Sequence, residues 1–357
     1  MIHKNEFDTS EYKVTYLIGA GASANALPTV KKTQKIDSIA ASMSAFAEDL
    51  KNDSSISVLN KEYVDQMVKD LYWLVANTYL FQTPDTFAKY LYLKEPNELE
   101  RLKNAVSFYL TVEQFVNFKF DKRGLTFLTT VINNDSQFPT NVKILNWNFD
   151  FQIQLAGEIF EKEKFFPLVE GEPASYHSQP IFYFPIQGFN RSLEDLRSIS
   201  LKEISMVHLN GIAGFYYDKP NGLILNYFYD QKPKSINEII EKININKGVE
   251  GTGNLITFAW ERDTKSAEIL SNTIEVAKVI AKDTDILVII GYSFPFFNRE
   301  IDKQILTTLT ASGKLKKIFY QDPIRTGEFL RKRFGLSKDI EIIHISDVDN
   351  YFIPIEL

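Results

Sequence analysis

The chain has 357 residues, of which 44% are hydrophobic and 24% charged, a composition typical of a globular protein with one or two domains. Its formal net charge of −6 argues against a general nucleic-acid binder, which normally carries a basic face. Because the sequence contains no cysteine, disulfides, thiolate nucleophiles and cysteine-ligated zinc are excluded.

The first predicted strand, residues 14–18, runs directly into a glycine turn. Gly19, Ala20, Gly21 and Ser23 belong to this turn. An apolar strand followed by glycines is a common cradle for a pyrophosphate, because glycine lets backbone N–H groups approach it closely. A dehydrogenase fingerprint also needs an acidic residue at the end of a second strand about 20 residues on, but the nearest acid, Asp37, opens a helix. The alternative interpretation is a tight turn without a ligand.

Helical spacing of apolar residues dominates the next part of the chain. The pattern covers residues 36–50, 67–75, 99–110 and 125–132. The next clear strand is residues 142–145. So much helix between two strands predicts a helical insertion, residues 36–135, in a domain formed by residues 1–35 and 136–357.

Polar residues follow the strand at 142–145. Asn148 and Asp150 lie between this strand and the start of a predicted helix, which is the ligand side of a parallel sheet. Trp147 and Phe149 beside them favour a water-poor wall, in which polar groups interact strongly. The alternative is structural: Asn148 caps the helix and Asp150 occupies its first turn.

One of the four histidines follows an apolar run and precedes a turn. His208 lies near the end of a predicted strand at residues 204–209, and Asn210 and Gly211 form the turn. Residues two apart on a strand share a face, so His208 and Asn210 are expected to reach one cavity. A histidine on an apolar strand also fits a purely structural role.

Strand and helix patterns alternate through the rest of the chain. Strands are predicted at residues 181–185, 223–227, 255–258, 286–290, 318–320 and 340–345, and helices at 267–281, 301–309 and 328–334. The continuous apolar run at 286–290 is typical of a strand buried on both faces of a parallel sheet. We therefore predict an α/β fold, with a doubly wound, mostly parallel Rossmann-like sheet and a large helical insertion.

Five of these segments, in this order, resemble motifs of the sirtuin-like family. They are residues 19–23 with Pro28 after them, 146–150, 208–211, Gly291-Tyr292-Ser293 with Asp302 further on, and 318–323. Together they span nearly the whole chain. Protein-deacylating sirtuins hold a structural zinc on four cysteines, and this chain has no cysteine. The resemblance therefore indicates the zinc-free bacterial branch, whose members resemble NAD-hydrolysing effectors of antiphage defence.

The resemblance implies cleavage of the nicotinamide–ribose bond of NAD, with NAD as substrate and no metal or zinc required. Asn148 and His208 would be catalytic, the histidine as a general base with an ordinary pKa of roughly 6.5. The remaining expected contacts are Gly19, Ala20, Gly21 and Ser23 at the pyrophosphate, Asp150 and Asn210 near Asn148, and Gly291, Ser293 and Asp322 towards the adenosine. Asn210 stands where the family has its catalytic histidine, so the assignment of that role to His208 or Asn210 stays open.

The sequence leaves three other functions open: a silent sensor of NAD or an ADP-ribose-type nucleotide, a dehydrogenase, and a zinc-free protein deacylase. An unregulated NADase would harm its own cell, so we expect a homo-oligomer and a regulatory protein encoded nearby. No signal-peptide pattern opens the sequence, and no segment approaches the roughly 20 apolar residues that span a bilayer. A cytoplasmic protein without membrane or nucleic-acid contact is therefore expected.

Overall fold

The computed structural model describes residues 12–33, 35–133, 138–160, 183–184, 204–218, 224–225, 233–247, 252–261 and 265–357. The strands, in chain order, are β1 (Val14–Ile18), β2 (Val142–Asn146), β3 (Tyr183–Phe184), β4 (Met206–His208), β5 (Tyr216–Asp218), β6 (Ile224–Leu225), β7 (Thr252–Asn254), β8 (Ile286–Ile290), β9 (Lys317–Gln321) and β10 (Glu341–Ile345). Seven of them form one sheet in the order β10-β9-β8-β1-β2-β4-β3, and the others form a small sheet in the order β6-β5-β7.

All neighbouring strands of the large sheet pair in parallel. β1 is central, and its first residue, Val14, pairs with Val142 on one side and Ile286 on the other. Every residue of β1 and β8 is buried. Burial is continuous along both strands rather than alternating because both faces of the sheet are covered.

The helices are α1 (Ile39–Asn52), α2 (Lys61–Phe81), α3 (Pro84–Lys94), α4 (Pro96–Thr111), α5 (Lys122–Val131), α6 (Gln152–Phe160), α7 (Ile236–Lys247), α8 (Lys265–Lys282), α9 (Arg299–Ala311) and α10 (Gly327–Phe334). Several of these helices begin at residue types that commonly form N-caps. Ser38 caps α1 and Thr83 caps α3 by accepting hydrogen bonds from backbone N–H groups, and Pro84 occupies the first turn of α3.

Helices cover both faces of the large sheet. On one face, Leu17 and Ile289 pack with Ile274 of α8 and Ile305 of α9. On the other face, residues of α5 and α6 join the alternate side chains of the strands, among them Tyr16, Val288, Phe127 and Leu155. This arrangement confirms the predicted doubly wound, Rossmann-like α/β fold.

A third apolar cluster, called the helical cluster below, lies apart from the sheet. It joins the buried faces of α1 to α4 with Ile239 and Ile243 of α7, and with Tyr216, Ile256 and Phe258 from the region of the small sheet. Helices α1 to α4 therefore pack with described residues from a later part of the chain, between positions 213 and 258. α5 differs from them, because its buried side chains pack with the large sheet. The division of the chain at residue 135 stays a prediction.

The predicted strand at residues 255–258 is wrong. The strand ends at Asn254, and the apolar residues after it are buried without regular structure. Their backbone is anchored to loops, since Leu255 donates to the carbonyl of Phe215 and Thr257 to that of Asn210. Burial between two clusters, and not strand pairing, accounts for this apolar run.

Of the strands predicted at 181–185 and 223–227, only Tyr183–Phe184 and Ile224–Leu225 fall within the described residues. Within the part of the chain that the structure covers, no helix is long and apolar enough to cross a membrane.

Candidate functional site

The predicted site residues lie at one edge of the large sheet. All its strands are parallel, so the residues that follow β1, β2, β4, β8 and β9 leave from the same side. The chain order reverses between β1 and β8: β2 and β4 continue to one side of β1, and β9 and β10 to the far side of β8. Ligands of open α/β sheets bind at such a topological switch point, outside the carboxyl ends of the strands.

The glycine turn borders this switch point. It forms a short 3₁₀ turn, Ala20–Ser23, and packs against the residues that follow β8. The backbone N–H groups of Gly19 and Gly21 donate to the carbonyls of Ile290 and Gly291 at 3.0 and 2.9 Å. A Cβ on Gly21 would lie 2.6 Å from the Cα of Gly291, so the glycines permit a close approach of two chain segments.

Asn148 joins the glycine turn to the end of β2. It is buried, and its Nδ2 lies 3.1 Å from the carbonyl oxygen of Gly19 and 3.2 Å from Oγ of Ser23. Its backbone N–H donates to Oδ1 of Asn146. The side chain thus does not cap α6. The carboxylate of Asp150 accepts from the backbone N–H of Gln152 at the start of that helix instead.

Asp150 shares this buried cluster. Burial raises its pKa to about 6, and the neighbouring Asp121 acts in the same direction. Hydrogen bonds with the side chains of Ser23 and Asn148 act against the shift. Asp150 therefore titrates closer to neutral pH than an exposed aspartate.

His208 ends β4 and pairs in register with Asn146. Its side chain is fully buried, and its Nε2 lies 2.6 Å from Nε2 of Gln154 on α6. Burial lowers the pKa of the imidazole to about 3, and a hydrogen bond with the backbone of Asn148 only partly opposes this. The ring is therefore neutral at physiological pH, in contrast to the ordinary pKa expected from the sequence.

Asn210 lies in the turn after β4 and not on the strand. The expectation that it shares a face with His208, which holds for residues two apart on a strand, therefore does not apply. Its Nδ2 lies 3.4 Å from the carbonyl oxygen of Trp147. Its Oδ1 is buried and has no hydrogen-bond partner among the described residues. Gly211 follows with a φ of +75°, and a Cβ there would lie 1.9 Å from the carbonyl oxygen of Leu255. The turn is thus fitted closely against residues 255–257.

The predicted adenosine-side residues are linked by an arginine that sequence analysis did not identify. Arg325 donates through its side chain to the carbonyl of Ser293 and through its backbone to Oδ1 of Asp322. Asp322 Oδ1 also accepts from the backbone N–H of Ile324. One carboxylate oxygen of Asp322 is thus engaged in its own turn.

A buried acid supports the turn after β8. Tyr292 stacks on Trp147 with ring centroids 5.8 Å apart, and its hydroxyl donates to Asp302 on α9. Burial raises the pKa of Asp302 to about 8, so its carboxyl group is mainly protonated at neutral pH. Asp302 therefore holds Tyr292 from behind the site.

A buried arginine beneath the glycine turn was also not predicted from the sequence. Arg123 donates to the carbonyls of Gly21 and Ala22 and forms an ion pair with Asp121. The one signal in the sequence is Asp121, a common type of N-cap residue at the start of α5. Nothing in the local pattern shows that the arginine two residues later points inward.

A cavity of about 530 Å³ lies elsewhere, in the helical cluster, lined among others by Tyr63, Met67, Asp70, Arg101 and Ile243. Among the described residues, no group of three or more histidine, aspartate or glutamate side chains is arranged to hold a metal ion.

No protein-family model matches the chain. No curated protein shows a significant match to it. The likeness to the sirtuin-like family thus rests on the motifs described above.

Proposed function

We propose that the chain binds NAD at the topological switch point, outside the carboxyl ends of β1 and β8, and hydrolyses its nicotinamide–ribose bond. The observation that carries this proposal is the contact between Asn148 and the glycine turn. The residue predicted to act on the ribose bonds directly to the segment predicted to hold the pyrophosphate, at the edge and switch point where α/β sheets bind nucleotides. These two predictions came from parts of the sequence 129 residues apart.

The departure of nicotinamide needs little acid catalysis. Nicotinamide leaves as a neutral base from a cationic ring, and the transition state resembles an oxocarbenium ion, so the site must stabilise charge that moves to the ribose. The Nδ2 of Asn148 is held by Gly19 and Ser23, which orients its Oδ1 for a hydrogen bond to a ribose hydroxyl or to the attacking water.

Asp150 is an alternative general base to His208, because its side chain bonds to that of Asn148, the residue proposed to act on the ribose. An effective general base has a pKa near the working pH, and Asp150 at about 6 meets this condition. His208 at about 3 is a weak base. In this proposal the neutral imidazole acts as a positioning residue, because it bonds to the backbone of Asn148 and to Gln154.

The test is incubation of the purified chain with NAD, alone and with proteins encoded nearby, with and without a chelator. Free nicotinamide and ADP-ribose are quantified by chromatography. The proposal expects stoichiometric release of both products, unaffected by the chelator. Tight binding of NAD without release of nicotinamide under every condition would contradict it.

A sensor that binds NAD or an ADP-ribose-type nucleotide without cleaving it is the second candidate. The observation that favours it is the full burial of His208, which leaves this histidine without the basicity expected of a catalytic group. Calorimetric binding of NAD and of ADP-ribose, measured beside the release assay, separates the two candidates.

Control by assembly completes the proposal. We propose that an NADase of this kind is kept inactive as a homo-oligomer or by a regulatory protein encoded nearby, and acts in the cytoplasm as an antiphage effector. Light scattering and NAD turnover on the same sample test this part. A monomer that is fully active alone would contradict it.

A further inference from the structure

The carbonyl groups of the glycine turn are bound from one side by a buried guanidinium. Nη2 of Arg123 lies 3.2 Å from the carbonyl oxygen of Gly21 and 3.0 Å from that of Ala22. Tyr351 donates its hydroxyl to the same carbonyl of Ala22, and Arg123 lies over its ring at 5.5 Å from the centroid. Two side chains from distant parts of the chain thus converge on one peptide group of the turn.

Arg123 is itself rigidly held. Its Nε and Nη2 bind the two carboxylate oxygens of Asp121 at 2.9 and 2.6 Å, and its Nη1 lies 3.0 Å from the carbonyl oxygen of Val348. Its side chain is 9% exposed and that of Asp121 is 1% exposed. The planar guanidinium donates from all three nitrogens in a fixed geometry that the single ammonium of lysine does not reproduce.

The orientation of a carbonyl also fixes the N–H of the same peptide group. A trans peptide is planar, with its C=O and N–H pointing in opposite directions. Because Arg123 and Tyr351 hold the carbonyl of Ala22, the N–H of Ser23 points away from them. The same geometry applies to the carbonyl of Gly21 and the N–H of Ala22, which donates to the carbonyl of Gly19.

The ion pair also connects the turn to the polar cluster around Asn148. Oδ2 of Asp121 accepts from the backbone N–H of Asn25, just after the turn, and the backbone N–H of Asp121 donates to the side chain of Gln152. Gln152 in turn donates its backbone N–H to Asp150. The turn is therefore held at two places, since Arg123 binds the carbonyls of Gly21 and Ala22 and Asn148 binds that of Gly19.

We propose that Arg123 is a positioning residue that presets the backbone of the glycine turn for a diphosphate group. This inference rests on the proposed NAD site, since it names what holds that site in shape. Arg123 acts through the carbonyls of Gly21 and Ala22 and does not itself touch the ligand.

Arg123→Lys is the primary test. Loss of charge-assisted hydrogen bonds to the turn is expected to raise the Kd for NAD about tenfold or more. Hydrogen–deuterium exchange without ligand is expected to be faster across residues 19–25 in this variant. Arg331→Lys is the matched control, because Arg331 also donates to carbonyls, those of Ser337 and Ile340, but at the opposite edge of the sheet.

The exchange measurement keeps the inference separate from the proposed function. If the wild-type chain binds no NAD, the proposed function fails, while faster exchange at residues 19–25 in Arg123→Lys still supports the role of Arg123 in shaping the turn. Should Arg123→Lys fail to fold, Tyr351→Phe removes one donor to Ala22 and is expected to speed exchange at the same residues. Exchange at residues 19–25 as slow as in the wild type, in a folded variant, would overturn the inference.

Discussion

Gly21 and Gly291 pack against each other where β1 and β8 end. A Cβ on Gly21 would lie 2.6 Å from the Cα of Gly291, and a Cβ on Gly291 would lie 2.3 Å from the backbone nitrogen of Ala22. Gly291 also has a φ of +59°, which L side chains rarely adopt. The two loops that border the switch point therefore depend on each other for their shape.

Gly291→Ala is expected to destabilise the protein more than a glycine substitution at an open site. The left-handed conformation costs roughly 1–2 kcal/mol, and overpacking adds about 1–3 kcal/mol. Gly313→Ala is the matched control, because Gly313 has a φ of +67° and no atom within 4 Å of its Cβ position. Urea unfolding of both variants measures the difference. Equal losses would show that the close approach to Ala22 is unimportant.

Asn148→Ala is expected to lower the kcat for nicotinamide release about 100-fold or more, as loss of one preorganised polar group at a transition state commonly does. Asn141→Ala is the control, since Asn141 precedes the same strand at the opposite edge of the sheet and donates to the carbonyl of Tyr12. Steady-state kinetics and thermal unfolding are measured for both. Wild-type turnover by Asn148→Ala would remove this residue from the proposed site.

His208 is expected to make the fold less stable in acid. Its pKa is lowered from about 6.5 in the unfolded chain to about 3, so the unfolded state binds the additional proton. The stability that the neutral ring contributes is complete above pH 6.5 and is lost as the pH falls towards 3. Between pH 7.5 and pH 5.5 the loss is about 1.4 kcal/mol.

Urea unfolding at these two pH values measures the effect. The difference between the two values should be smaller in His208→Gln than in the wild type, whereas His344→Gln controls for loss of a half-buried histidine. Because each protein is compared with itself at the two pH values, any loss of unfolding free energy that does not depend on pH cancels. The same pH dependence in His208→Gln and the wild type would mean that His208 is not the buried neutral group described here.

Lys103 and Glu261 form a buried ion pair that joins α4 to the residues after β7. Their atoms lie 2.8 Å apart, and the side chains are 1% and 0% exposed. Burial raises the pKa of Glu261, although Lys103 opposes this shift. Lys103→Met is expected to cost about 3–5 kcal/mol, because it leaves a carboxylate buried without its partner.

Lys278→Met is the matched control, since Lys278 pairs with Glu275 at the surface, where such a pair contributes about 1 kcal/mol or less. Adding Glu261→Gln to Lys103→Met should recover part of the lost stability in urea unfolding. A small loss in Lys103→Met alone would show that water reaches Glu261.

Local sequence patterns were sufficient to predict the central strands of the large sheet and the helices that cover it. The apolar runs of β1, β2 and β8 are readable because burial on both faces leaves few polar residues in them. The polar residues after each run, among them Asn148, could be placed at one edge because parallel strands share a direction. Sequence alone therefore predicted the sheet, its covering helices and the edge where the candidate site lies.

The apolar run at 255–258 shows where local patterns fail. A short buried run is compatible with a strand or with an irregular segment between two clusters. Only the packing of Ile256 and Phe258 against α1 to α4 decides between them. The helical cluster likewise takes residues from distant parts of the chain, which no local periodicity reveals.

The chemistry of the site depended still more on tertiary structure. His208 is neutral because it is buried beside Gln154. Arg123 lies beneath the glycine turn because it binds the carbonyls of Gly21 and Ala22, which precede it by 102 and 101 positions in the sequence. Hydrophobic periodicity and turn residues are local properties, so the sequence determined by itself most strands of the large sheet and the helices that cover it. The pKa of a buried group and the partner of a backbone carbonyl depend on the atoms that folding brings next to them, and these only the tertiary structure decided.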